Sequence, residues 1–63
     1  MKRCIDCNNF FKNTTTGRND CNRPDIERAV SMQLSIHLED AEYEVQKWLN
    51  NSDDENNCPE FTL

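Results

Sequence analysis

Sixty-three residues make one domain at most, and a core of this size rarely supplies more than about 3–5 kcal/mol without a staple. Hydrophobic residues are 35% of the chain, and seven Lys and Arg stand against twelve Asp and Glu for a net charge of −5. This excludes a Rossmann domain, a barrel, a P-loop enzyme and any active site buried in a large core. No run of about 18 apolar residues predicts a transmembrane helix. Met1-Lys2-Arg3 meets Cys4 with no apolar stretch between, so no secretory signal is expected, and the expected compartment is a reducing cytoplasm.

Residues 1–23 read as a cysteine knuckle followed by a polar loop. Cys4 and Cys7 form a C-x2-C unit, with Phe10 and Phe11 just behind it to cover the sulfurs and Lys2 and Arg3 beside it to offset their charge. Asn13-Thr14-Thr15-Thr16-Gly17-Arg18-Asn19-Asp20 is turn-rich and carries the only glycine. Pro24 at a first helical position, with Asn22 or Arg23 before it and Asp25 and Glu27 after it, suits a helix start.

Two patterns compete between 25 and 38. Ile26, Ala29, Val30, Leu34, Leu38, Ala41, Val45, Trp48 and Leu49 recur at helical spacing. Val30, Met32, Leu34, Ile36 and Leu38 alternate with polar residues without a break, as in a strand. From Glu39 to Asn50 the spacing is helical only, and acids crowd its first turn where they suit the helix dipole. An unbroken helix over 24–50 is about 40 Å long. The free segments 21–24 and 50–58 reach about 37 Å fully extended, which barely brings Cys21 and Cys58 to one point and leaves no slack for the helix caps. Either the helix breaks, the site is shared between chains, or Cys58 is not a ligand. A strand near 30–38 followed by a helix near 39–50 resolves this, with Asn9–Thr16 or a second copy of the strand as its partner. The expected fold is therefore a small zinc-stapled α+β domain, against a mainly α alternative with a long or broken helix over 25–50. Residues 51–57 form an acidic linker and 58–63 a closing tail, in which Phe61 follows Cys58.

Four cysteines are the strongest chemical signal. Cys4, Cys7, Cys21 and Cys58 leave none over. In an oxidising compartment they would make two disulfides, with three possible connectivities. In a reducing one a tetrahedral Cys4 zinc site is favoured, one Zn²⁺ per chain at about 2.3 Å per Zn–S bond. His37, the single histidine, is an alternative ligand or an ordinary side chain. A full Cys4 shell leaves no open position for water, so the metal is expected to be structural rather than catalytic. There is no general base beside a nucleophile, and no enzyme activity is expected.

The frame Cys4-Ile5-Asp6-Cys7-Asn8-Asn9-Phe10, Cys21-Asn22-Arg23-Pro24 and Cys58-Pro59-Glu60-Phe61 resembles small cysteine-rich phage and prophage proteins with the pattern C-x-x-C-x-x-F, C-x-R-P, C-P-x-F. The match covers about fifteen positions at the two ends and leaves the middle unaligned. The resemblance implies one zinc held by Cys4, Cys7, Cys21 and Cys58. A phage setting favours small proteins that disable host defence, such as inhibitors of CRISPR or restriction nucleases.

Charge divides the chain. Residues 1–28 carry six basic and four acidic side chains, and residues 29–63 carry one and eight. The expected activity is binding of a host protein through Glu39, Asp40, Glu42, Glu44, Asp53, Asp54 and Glu55, which otherwise serve only as a solvated face. A zinc-finger-like nucleic-acid binder using Lys2, Arg3, Lys12, Arg18, Arg23 and Arg28 is the alternative, and the net charge counts against it. The apolar face Val30, Met32, Leu34, Ile36 and Leu38 predicts a homodimer by pairing of the 30–38 strand.

Overall fold

The computed structural model describes residues 2–63. A 3-10 turn at Cys4–Asp6 precedes β1 (Phe10–Asn13), β2 (Arg18–Cys21), α1 (Ile26–Leu34) and α2 (Leu38–Asn50). β1 and β2 form a two-stranded antiparallel sheet with Phe10 opposite Cys21 and Asn13 opposite Arg18. The result is a small compact α+β fold of 31 × 26 × 17 Å. No helix among the described residues is long and apolar enough to cross a membrane.

The hairpin arises from its turn more than from its strands, since Arg-Asn-Asp-Cys has little β preference. Asn13 Oδ1 accepts the Thr15 and Thr16 N–H groups at 3.0 and 3.3 Å, an Asx-type turn. Gly17, at φ 73°, turns the chain back, and its N–H donates to the Asn13 carbonyl at 2.7 Å. Asn9–Thr16 therefore does contain a strand, but its partner is 18–21 and not 30–38.

Residues 30–38 are not a strand, contrary to the alternation of their sequence. Val30 to Leu34 continue α1, Ser35 breaks it, and Leu38 begins α2. Ser35 sits in the left-handed region at φ 55°, ψ 46°, and its N–H donates to the Ser31 carbonyl. The Ile36 N–H reaches the same carbonyl at 3.1 Å, and the Ser31 hydroxyl donates to the Ile36 carbonyl at 2.6 Å. These bonds satisfy groups that a helix end leaves open. The broken-helix alternative describes this segment, and the expected helix near 39–50 is present one residue longer at its start.

Packing explains why the helical pattern won. Ile26 and Val30 of α1 meet Ala41, Val45 and Leu49 of α2 to form the buried core. A strand would have pointed Val30 and Leu38 the same way. Here Val30 is fully buried, whereas Met32 is 76% and Leu38 56% exposed. Leu34 is also exposed and Ile36 half-buried. The five residues expected to form a dimer strand thus do not share one face, and Val30 is spent inside its own chain.

One contact ties the hairpin to this helical pair, and three more tie residues 52–56 to the N-terminal segment. Asn19 of β2 donates from Nδ2 to the Leu49 carbonyl at 2.9 Å, filling an acceptor left open in the last turn of α2. The 51–57 segment is no free linker. It turns at Asn51–Asp53, then pairs Glu55 with Arg3 as an antiparallel bridge. The Asn56 N–H donates to the Lys2 carbonyl at 2.8 Å, and the Ile5 N–H to Ser52 at 3.0 Å.

A non-glycine residue in the left-handed region costs about 1–2 kcal/mol. Ser35→Gly is therefore expected to raise the chemical-denaturation midpoint, and Ser35→Val to lower it by more than about 1 kcal/mol because a β-branched residue fits that conformation worst. Equal midpoints for the two variants would show that the break is not set at Ser35.

Candidate metal centre

Three segments supply the four sulfurs. The 3-10 turn carries Cys4, its C-cap is Cys7, the end of β2 carries Cys21, and the tail carries Cys58. All four line one hollow of about 20 Å³, closed by Phe10, Leu49, Asn56 and Phe61. That volume is room for about one water-sized atom. Cys4, Cys21 and Cys58 also pack against the helical core, so the hollow is built onto the apolar side of α2 at Leu49. All four cysteines are free thiols. As they stand, no group of three or more His, Cys, Asp or Glu among the described residues is gathered as a metal-binding cluster.

Each sulfur has a hydrogen-bond donor. The Asn9 N–H points at Cys7 Sγ at 3.5 Å, and Asn56 Nδ2 at Cys4 Sγ at 3.4 Å. Backbone N–H groups of Arg23 and Glu60 serve Cys21 and Cys58. Three of these donors lie two residues after their cysteine, so the chain folds back over its own sulfur at Cys7, Cys21 and Cys58. Such donors favour the thiolate over the thiol.

Burial opposes them. It pushes the Cys4 thiol up to about 11, with the Asn56 hydrogen bond pulling down and the neighbouring Cys58, Cys21 and Cys7 pushing further up. Burial likewise raises Cys21 and Cys58, against the Arg23 and Glu60 backbone donors. The mutual repulsion is that of four sulfurs sharing a small space. A divalent cation held by the four cysteines would remove the conflict: it would replace the thiol protons, neutralise part of the charge and keep the same donors. The donor set, the hollow's size and the N–H groups therefore suit a soft tetrahedral ion such as Zn²⁺.

The sequence expectation for Phe10 and Phe61 holds, since both line the hollow. Phe11 does not line it and is exposed. His37 precedes α2 as its N-cap and is not among the lining residues. Lys2 lowers the Cys58 thiol. Arg3 instead pairs with Asp6 at 2.7 Å.

The supporting contacts of Asn56, Asn9, Arg23 and Glu60 escaped the sequence reading. Asn56 donates to Cys4 and also accepts the Cys58 N–H at 3.0 Å. An asparagine two residues before a cysteine is the one local signal for such a turn. Asn9 Nδ2 donates to the Glu60 carbonyl at 3.3 Å. Arg23 Nη2 pairs with Glu60 Oε2 at 2.8 Å, joining the residues that follow Cys21 and Cys58. The resemblance frame contains this Arg and Glu, but nothing in the spacing says that they meet.

No protein-family model, no curated protein and no solved structure matches this chain.

Leu49 is 3% exposed and belongs to both the core and the wall of the hollow. Leu49→Ala is expected to cost about 2–5 kcal/mol, comparable to all that so small a core supplies. Thermal unfolding should show no cooperative transition for metal-free Leu49→Ala. A midpoint within a few degrees of the parent would mean that Leu49 does not couple the hollow to the helices.

Proposed function

We propose that the chain is a zinc-stapled interaction protein of a phage type, one that works by binding a host protein rather than by catalysis. Convergence of four cysteines, each with its own N–H donor, on a hollow with room for one ion carries the zinc half of this proposal. Cys4, Cys7, Cys21 and Cys58 would hold the ion, and its contribution would be structural. It would tie the N-terminal knuckle, the hairpin and the tail together where only five buried apolar side chains form the core. A hollow of about 20 Å³ admits no substrate beside such an ion.

The acidic surface carries the partner half. Glu39, Asp40, Glu42, Asp53, Asp54 and Glu55 are exposed, while Glu44 is partly buried beside Lys47. Of the seven basic side chains, Arg3 pairs with Asp6, Arg23 with Glu60 and Lys47 with Glu44, Lys2, Lys12, Arg18 and Arg28 are exposed, and the net charge is −5. This favours a basic protein partner, for example a host defence nuclease at its nucleic-acid site, over binding of a phosphate backbone. The setting would be a reducing host cytoplasm, where four thiols remain available to metal.

Native mass spectrometry of the purified protein should find one Zn²⁺ per chain, and a chelator should abolish the cooperative unfolding transition. A metal-free chain that is fully folded contradicts the zinc assignment. Cys58→Ser should lose as much zinc affinity as Cys4→Ser. Unchanged zinc content in Cys58→Ser would move the fourth ligand elsewhere. For the partner half, immobilised protein incubated with a phage-host lysate should retain a basic protein at low salt and release it at high salt. Retention of nucleic acid alone would favour the zinc-finger alternative.

A further inference from the structure

A groove of about 350 Å³ runs between the end of α2 and the 54–57 tail. Leu34 and Trp48 line its apolar side, and Glu44, Asp54 and Glu55 its charged side, with Lys47 as its one cation. Lys47 is held by Glu44 at 3.3 Å, so it is not free to neutralise the other two carboxylates. Glu55 lies beside Arg3, which is itself paired with Asp6, and shares a neighbouring hollow with Lys2, whereas Asp54 has no ion-pair partner among the described residues. Asp54 and Glu55 are exposed, and Trp48 is half-buried against the core.

We propose that this groove seats an arginine side chain carried on an extended segment of a protein partner. The inference rests on the basic-partner reading above and names the place and the side chain. A planar guanidinium stacks on an indole face and takes carboxylates in pairs, which a lysine ammonium does less well. A neutral side chain here would cover Asp54 without pairing it, and covering an unpaired charge is costly. A phosphate or an anionic lipid surface is repelled by Asp54 and Glu55. The groove's volume falls at the small end of ligand sites, enough for one long side chain and its flanking backbone.

The seven acids expected to form one binding face are thus two sets. Glu44, Asp54 and Glu55 surround the groove. Glu39, Asp40 and Glu42, in the first two turns of α2, and Asp53, in the turn that follows it, do not line it.

Trp48 is the only tryptophan, so its fluorescence reports occupancy directly. The probe is a capped hexa-arginine peptide titrated into the full chain at low salt, beside hexalysine and the neutral hexacitrulline. Hexa-arginine should shift Trp48 emission and bind at least about threefold tighter than hexalysine, the lower end of a cation–π preference. Hexacitrulline should not bind. The double variant Asp54→Asn with Glu55→Gln should weaken hexa-arginine by about tenfold or more, one decade per 1.4 kcal/mol. The triple variant Glu39→Gln, Asp40→Asn and Glu42→Gln should stay within about twofold, as for charges outside the contact. All substitutions are at surface positions, and circular dichroism confirms that each variant folds. If the triple variant loses binding and the double does not, the groove is refuted while the acidic-surface reading stands. If hexa-arginine fails to bind at all, or hexacitrulline binds equally, both are refuted for this surface.

Discussion

Bringing residues from both ends of the chain to one small space is the constraint on which the rest of this structure depends. Cys4 and Asn56 are 52 positions apart and touch. Closing a flexible loop of that length costs about 3.5 kcal/mol from its length dependence alone. Five buried apolar residues leave little margin for such a cost, so the closure is reinforced at several points. Arg3 meets Glu55, the Asn8 N–H meets the Thr62 carbonyl at 2.6 Å, and Arg23 meets Glu60. The helical pair must fold back on itself for any of these to form, which is why a break at Ser35 matters as much as any cysteine.

Charge and packing occupy different sides of the same helix. Ala41, Val45 and Leu49 face the core, whereas Glu39, Asp40 and Glu42 stay in water near the helix start, where acids offset the positive end of the dipole. The tail then brings Asp54 and Glu55 alongside the far end of α2. Closure of the chain and assembly of a charged groove are consequences of one backbone path: the segment that positions Cys58 also forms one wall of the groove.

Much of this was legible in the residues, and the rest was hidden for identifiable reasons. The helix at Leu38–Asn50 was readable because Ala41, Val45, Trp48 and Leu49 admit no strand pattern. The 30–38 segment was not, because its residues satisfy both periods, and the tie was broken by a partner face on α2 that no local window contains. The reach argument identified the need for a reversal but assigned it to a change of element type rather than to one left-handed serine. The β1–β2 hairpin was hidden because Arg18–Cys21 has little strand preference and depends on the Asn13 turn. That the four cysteines line one hollow accords with the expectation of a shared site, though they are not gathered as a metal-binding cluster. Their donors were not legible, since Asn9 and Asn56 look like ordinary loop asparagines among nine in the chain.

The Asn19 bond to the Leu49 carbonyl has a kinetic side. Hairpin and helical pair are each built from contacts close in sequence, and this bond latches one to the other without help from the tail. The contacts that tie the tail to the rest of the chain span long stretches of it and are at most part-buried, and such contacts open at a lower free energy than a buried core. Lifting of residues 52–62 alone would uncover the sulfurs while the β-hairpin and the helical pair stay latched. Under the proposed zinc reading, ion exchange at the hollow would then follow how often the tail lifts and not the rate at which the whole domain unfolds.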